Sequence, residues 1–158
     1  MSSNGLRSLF FAGLVLAAGR LPAQAIVPGP QATPSAAVQE FMRAAADSNL
    51  AGMAQLWGTS KGPVAKTGKP ADFAKRIVIM QAYLDGVSSK VLSEVAADKP
   101  ELRLVTTELA RGECSVTLTV KAVKTKGGWI VQDFDLDQAS QVNKSCASQH
   151  DGGNSFGG

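Results

Sequence analysis

The stretch CSVTLTVKAVKTKGGWIVQDFDLD, residues 114–137, carries the clearest structural pattern in the chain. Apolar and polar residues alternate from Cys114 to Ala122, and this period of two is typical of a strand with one buried face. The glycine-rich Lys126-Gly127-Gly128 interrupts the pattern, and WIVQDFDLD resumes it. The stretch therefore predicts an antiparallel hairpin.

The charged residues of this hairpin select its register. A three-residue loop from Lys126 to Gly128 places Val120 opposite Phe134 on the apolar face and Lys121 opposite Asp133 on the polar face. The same register predicts three further pairs: Leu118–Leu136, Thr119–Asp135 and Thr117–Asp137. A two-residue turn would bring the aspartates beside core valines, where desolvation is unfavourable. The spacing of the aspartates could also support a calcium site, but the register favours a solvated acidic face, and no metal ion is predicted.

The apolar residues upstream of the strands recur with a helical period. Three helices are predicted: one from Ser35, which can cap its N-terminus, to Asp47; one from Leu50 to Gly58; and one from Pro70 to Gly86. Each has an apolar stripe. The stripe of the first helix is Val38, Phe41, Met42 and Ala45, that of the second is Leu50, Met53, Ala54 and Trp57, and that of the third is Phe73, Ile77, Met80 and Leu84.

Two more strands, SSKVLSEVAA and ELRLVTTELA, precede the hairpin. A turn at Arg111-Gly112 pairs Val105 with Leu118 and Leu109 with Cys114, which continues the apolar face. Helices followed by an antiparallel meander indicate an α+β fold, with three N-terminal helices packed on one face of a curved antiparallel sheet. We assign a single domain to residues 35–139 and a polar, partly mobile tail to residues 140–158.

The first 25 residues have the layout of a secretory signal peptide. Arg7 gives a basic start, an apolar run extends from Leu9 to Ala18, and Ala23-Gln24-Ala25 matches a small-x-small cleavage site. The protein is therefore expected to be exported, periplasmic or secreted, with a proline-rich spacer at residues 26–34. Retention of residues 1–25 as an anchor is the alternative, and membrane association is expected only in that case.

Cleavage would leave a nearly neutral protein. The chain of 158 residues has 16 Lys and Arg and 13 Asp and Glu, and loss of Arg7 and Arg20 leaves 14 basic residues. No dense basic stretch is interleaved with aromatic residues, so no nucleic-acid partner is predicted.

Cys114 and Cys146 are the only cysteines. Outside the cytosol an even pair indicates a disulfide. A metal pair or a redox couple is the alternative, but the wide spacing, the single histidine and the lack of a C-x-x-C motif disfavour both.

GPVAKTGKP, residues 62–70, superficially resembles a phosphate-binding loop. Its glycine spacing is wrong, Pro70 stands where a metal-binding hydroxyl is needed, and no buried strand precedes it. We interpret it as a connection between helices, and Lys61, Lys66 and Lys69 as a rim that could attract an anionic ligand, a lipid headgroup or an acidic partner.

Two stretches resemble the nuclear transport factor 2-like, or ketosteroid-isomerase-like, cone-fold superfamily. AAVQEFMRAAADSNLAGMAQLW is similar to its opening helix pair, and KTKGGWIVQDFDL to its closing hairpin. The resemblance covers roughly Ser35 to Asp137 and implies a conical pocket between the third helix and the sheet. The pocket candidates are Tyr83, Met80, Gln132 and Phe134.

The resemblance brings no catalytic residue, because none of the family's acid–base residues has a match here. The single histidine, His150, is placed in the tail, which argues against a Ser-His or Cys-His arrangement. No cofactor is predicted, and the protein is not expected to be an enzyme.

Trp129 opens the last strand on the predicted outer face, and with Val123 and Val131 it is a candidate interface anchor. We interpret the protein as an exported, non-catalytic binding or accessory domain with a small apolar pocket. The first alternative is an accessory subunit contacting a membrane-bound complex on its periplasmic side. The second is a small cone-fold enzyme of isomerase or dehydratase type. The identity of the ligand or partner does not follow from the sequence.

Overall fold

The computed structural model describes residues 27–150, and the side chains of residues 27–144. In this range the chain forms an α+β fold, as predicted. The helices are α1 (Pro34–Ala46), α2 (Leu50–Leu56), α3 (Val64–Thr67), α4 (Phe73–Leu84) and α5 (Leu136–His150). The strands are β1 (Gly58–Thr59), β2 (Gly62–Pro63), β3 (Ser88–Ala96), β4 (Leu102–Arg111), β5 (Cys114–Thr125) and β6 (Gly128–Phe134).

The main sheet has four antiparallel strands in the order β3-β4-β5-β6. A separate two-stranded sheet joins β1 to β2. The edge at β6 is partly covered, because Gln31 and Trp129 exchange two backbone hydrogen bonds of 2.9 and 2.7 Å. None of the described helices is both long enough and apolar enough to cross a membrane.

The first helix has the predicted apolar stripe but a different cap. Val38, Phe41 and Ala45 are fully buried. The N-terminus is capped by Thr33, whose hydroxyl accepts a hydrogen bond from the backbone N–H of Ala36 at 3.2 Å. The prediction of Ser35 as the cap is wrong, because the helix begins at Pro34 and its cap, Thr33, lies two residues before Ser35.

Ser35 instead makes a long-range contact. Its hydroxyl and its backbone N–H donate hydrogen bonds to Glu94 Oε2, at 2.6 and 3.2 Å. This contact links the start of α1 to β3, which is one of the two edge strands of the main sheet.

The second and third predicted helices are present as α2 and α4. Asn49 caps α2, since its Oδ1 accepts a hydrogen bond from the N–H of Gly52 at 2.9 Å. In α4 the predicted stripe is buried at Ile77, Met80 and Leu84. The connection between them is more structured than predicted, because it contains β1, β2 and the four-residue α3.

The closing hairpin combines the predicted register with an unpredicted bulge. Val120 pairs with Phe134 and Lys121 with Asp133, as expected. Beyond Lys121 the register shifts, and Ala122 pairs with Val131 and Thr125 with Gly128. Gln132 is the extra residue of this β-bulge. The prediction of a three-residue loop is wrong, because the turn has two residues, Lys126 and Gly127, and the bulge restores the predicted pairing further along the strands.

The glycine at the start of β6 has a steric reason. Gly128 has a φ of +129°, and a Cβ there would lie 2.5 Å from the carbonyl oxygen of Gln31. Only glycine allows this approach of the N-terminal segment to the sheet edge.

The register predicted between β4 and β5 is wrong by two residues. Val105 pairs with Val120, and Leu109 with Val116, because the turn consists of Gly112 and Glu113. A shift of two residues keeps every side chain on its face, so the apolar face forms as predicted. It also places Thr107 opposite Leu118, within the buried face.

The chain after Phe134 is helical rather than the end of a strand and a polar tail. Asp135 precedes α5, and its Oδ1 accepts a hydrogen bond from the N–H of Gln138 at 2.9 Å. Ala139 and Val142 are fully buried, and α5 packs against β5 and β4. The pairs Leu118–Leu136, Thr119–Asp135 and Thr117–Asp137 therefore do not form. The remainder of the predicted tail, residues 151–158, lies outside the described residues.

Candidate functional site

A cleft of about 280 Å³ lies beside α4, between this helix and the end of β6. Its lining residues are Trp57, Arg76, Ile79, Met80, Asp133, Phe134 and Leu136. Five of these seven side chains are apolar or aromatic. The volume is just below the range of about 300–1,000 Å³ that is usual for sites of drug-sized ligands. The cleft therefore suits a small, mainly apolar molecule.

The position of Trp57 depends on a contact between distant parts of the chain. Trp57 directly follows α2, and its indole Nε1 donates a hydrogen bond of 3.0 Å to the backbone carbonyl oxygen of Gln132. Its backbone also forms an isolated parallel bridge with Val131. These two contacts attach the segment after α2 to the bulged part of β6 and place the indole in the wall of the cleft.

The inner end of the cleft is continuous with the core. Met80 is 7% exposed, and Phe134 is half-buried against the core. The rings of Phe134 and Phe41 pack edge to face with their centroids 5.9 Å apart. Because Phe41 is fully buried in α1, it supports the cleft wall from behind.

Two charged residues lie in the lining. Arg76 Nε donates a hydrogen bond of 2.9 Å to Asp72 Oδ2, one turn earlier in the chain. Asp133 is exposed and lies opposite Lys121 in the sheet. The cleft can therefore offer one guanidinium group and one carboxylate to a polar part of a ligand.

A second cleft of about 240 Å³ adjoins the first and shares Trp57 and Asp133 with it. Its other lining residues are Gly58, Thr59, Val64, Lys69, Pro70 and Gln132. The side-chain oxygen Oε1 of Gln132 is buried and has no hydrogen-bond partner among the described residues. The bulge directs this amide away from the regular pattern of the strand.

The structure brings together some of the predicted pocket residues and separates the others. Met80 and Phe134 line the main cleft, as expected. Tyr83 does not line the main cleft, and it is 42% exposed on α4. Gln132 lines only the adjoining cleft, because the bulge removes it from the inner face where the pattern placed it.

The proposed interface anchors are not exposed. Trp129 is 8% exposed, Val123 1% and Val131 0%. Trp129 and Val131 belong to the main core, because the bulge moves them to the inner face. Arg103 and Lys124 lie over the Trp129 ring at 5.7 and 5.9 Å from its centroid. The outer-face assignment of Trp129 and Val131 is therefore wrong, and no interface is assigned to these three residues.

The predicted lysine rim is divided between two places. Lys61 and Lys66 line a pocket of about 250 Å³ together with Lys126 of the β5–β6 turn. Lys69 lies apart from them, in the cleft next to Trp57. The sequence does not predict that Lys126 joins this pocket, because Lys126 is more than fifty residues from Lys61 and Lys66 in the chain.

The predictions for the three aspartates and for the two cysteines are tested only in part by the described residues. Asp133, Asp135 and Asp137 are exposed, as predicted. Among the described residues, no three His, Cys, Asp or Glu side chains converge on a possible metal site. Cys114 is buried at 4% exposure, whereas the side chains of Cys146 and His150 lie outside the described set.

The sequence patterns do not identify five residues that line the main cleft: Trp57, Arg76, Ile79, Asp133 and Leu136. Trp57 was assigned to the stripe of the second helix, where it continues the apolar spacing. Ile79 lies one position before Met80 of the buried stripe of α4 and gives no pattern of its own. Comparison with protein-family models, with curated proteins and with solved structures gives no match for the chain.

Proposed function

We propose that this protein is a non-catalytic binding domain that holds a small, mainly apolar ligand in the cleft between α4 and β6. The proposal includes export, cleavage after Ala25 and a place in the cone-fold superfamily of nuclear transport factor 2-like proteins. In that arrangement α1, α2 and α4 are the three helices on one face of the curved sheet, with α5 as a C-terminal addition.

The observation that carries the proposal is the composition of the cleft. Trp57, Met80 and Phe134 form an apolar surface that is rigidly supported by the core and by the hydrogen bond from Trp57 to the bulge. An apolar concavity with a few polar groups at its edge is the usual form of a small-molecule site.

The polar groups favour binding over catalysis. Proton transfer needs a general acid or base within hydrogen-bond reach of the reacting atom, commonly with a partner that orients it. Asp133 and Arg76 are the ionisable groups in the lining, and Arg76 is already paired with Asp72. Tyr83 does not line the cleft and is 42% exposed, so it is not placed to act together with Asp133.

Titration with 1-octanol, followed by methyl NMR, tests the proposal. We expect the methyl resonance of Met80 to shift with saturation, whereas that of Met53, which is fully buried elsewhere in the core, stays unchanged. A ligand of this size in an apolar cleft should gain about 4 kcal/mol, which is a millimolar Kd.

Two matched variants on α4 locate the binding. Ile79→Trp places a large ring in the cleft and should abolish the shift of Met80. Val78→Trp is the control, since Val78 is 51% exposed and lines a different groove, beside α2. Equal responses of Met80 and Met53, or equal loss of binding in both variants, would contradict the proposal.

A further inference from the structure

We propose a second site, independent of the apolar cleft, in which Lys61, Lys66 and Lys126 bind a phosphate group. The pocket has a volume of about 250 Å³ and lies between the β1–β2 turn, α3 and the β5–β6 turn. Its complete lining is Pro30, Ser60, Lys61, Gly62, Pro63, Lys66, Thr125, Lys126 and Gly127.

The charge of this pocket is entirely positive. Its three lysines come from three separate segments, and none of its lining residues is acidic. The ion pairs of the described residues involve Arg43 and Arg76, so none of the three lysines is paired with a described carboxylate. Cations gathered in a concavity repel one another and raise the local concentration of anions. An anion in the pocket would remove this repulsion.

The turns that carry the lysines are held by internal hydrogen bonds. Thr125 Oγ1 accepts a hydrogen bond from the N–H of Gly127 at 3.1 Å and donates one to the carbonyl oxygen of Gly128 at 2.8 Å. Thr59 Oγ1 accepts one from the N–H of Lys61 at 3.3 Å. These backbone N–H groups are thus already used, and the bound anion would be held by the lysine side chains and the Ser60 hydroxyl.

This donor set fits a phosphate group better than a carboxylate. A lysine ammonium is a compact point charge with three donors, and lysine is a common phosphate ligand. A phosphate monoester carries a charge of about −1.5 to −2 at neutral pH and has three acceptor oxygens. The three lysines that line the pocket can neutralise that charge, whereas a carboxylate with one negative charge would leave more of their charge uncompensated.

The position of the pocket bears on where the phosphate comes from. Pro30 lines it, and residues 1–25 contain the apolar run from Leu9 to Ala18. Pro30 follows Ala25 by only five positions, so if those residues are retained in a bilayer we expect lipid headgroups to be the source. If they are removed, the same chemistry is available from a soluble phosphate compound. The experiment therefore has one arm for each source.

The test is a titration of the purified protein with inorganic phosphate at constant ionic strength, followed by the amide NMR shifts of Gly62, Lys126 and Gly127. Saturable shifts confined to these amides are expected. In the second arm, the protein is sedimented with phosphatidylcholine vesicles that either contain or lack phosphatidic acid, whose headgroup is a phosphate monoester. If the amide shifts occur and the protein also sediments with the anionic vesicles but not with the neutral ones, the site binds a lipid headgroup. If the amide shifts occur and the protein sediments with neither kind of vesicle, the site binds a soluble phosphate compound.

Two triple variants of equal charge provide the control. Lys61→Gln/Lys66→Gln/Lys126→Gln should weaken phosphate binding by about tenfold, since each exposed cation contributes a few-fold. Lys75→Gln/Lys90→Gln/Lys99→Gln removes the same charge from exposed positions outside the pocket and should leave binding unchanged. Absence of saturable shifts, or equal weakening in both triple variants, would overturn the proposal. Because Met80 and 1-octanol are not involved, this result is separate from that of the apolar cleft.

Discussion

The indole Nε1 of Trp57 donates a hydrogen bond to the backbone carbonyl oxygen of Gln132 over a distance of 3.0 Å. The two residues are 75 positions apart in the chain. Their contact connects the end of α2 to the β-bulge of β6, and both clefts next to Trp57 are lined by residues of these two segments.

Trp57→Phe removes this hydrogen bond and keeps an aromatic ring. We expect the free energy of unfolding to fall by about 1 kcal/mol, because the carbonyl oxygen of the bulge loses its partner. Urea denaturation measures the change. Tyr83→Phe is the control at an exposed aromatic position and should change stability by less than about 0.5 kcal/mol. If Trp57→Phe is equally neutral, the hydrogen bond does not hold the bulge.

Thr107→Val should stabilise the protein. Thr107 is fully buried, and its hydroxyl oxygen has no hydrogen-bond partner among the described residues. Valine has nearly the same shape without the buried polar atom, so we expect a gain of about 1 kcal/mol in denaturation experiments. Thr119→Val, an exposed change on the neighbouring strand, should be close to neutral. Destabilisation by Thr107→Val would mean that the hydroxyl does have a partner.

A disulfide between Cys114 and Cys146 remains a prediction. Cys114 begins β5, Cys146 lies in α5, and α5 packs against β5. The intact mass should be about 2 Da below that of the reduced chain, since bond formation removes two hydrogen atoms. A loop of about thirty residues should add roughly 3–4 kcal/mol to stability on the chain-entropy estimate. An unchanged mass after reduction would exclude the bond.

The same measurement of the intact mass shows where the mature chain begins. Cleavage after Ala25 gives a chain that begins at Ile26, as expected for an exported, soluble binding domain. A chain that begins at Met1 or Ser2 would instead support a retained anchor and an accessory role at a membrane. For the phosphate pocket, that result would favour a lipid headgroup over a soluble compound.

The residue patterns predicted the helices α1, α2 and α4 and the four strands of the main sheet, because burial of one side imposes a period of 3.6 on a helix and of 2 on a strand. The stripes of α1 and α4 follow from this rule, and so does the apolar face of β5. The register error between β4 and β5 did not change these faces, because it was an even number of residues.

α5 could not be predicted because its sequence is mostly polar, LDQASQVNKSCASQH. Among its described side chains, residues 136–144, the fully buried ones are Ala139 and Val142, which make only a narrow stripe. Packing against β5 and β4 stabilises this helix, and its own amphipathicity is too weak to have predicted it.

The chain by itself thus determined an α+β architecture, the buried sides of α1, α4 and β5 and the solvated aspartates, since these depend on local spacing and desolvation. Tertiary structure decided which residues share a site. The bulge at Gln132 moved Trp129 and Val131 into the core, the hydrogen bond to Gln132 brought Trp57 to the cleft, and Lys126 joined Lys61 and Lys66. These contacts depend on how distant segments pack against one another. The hydrophobic period within one segment does not predict them.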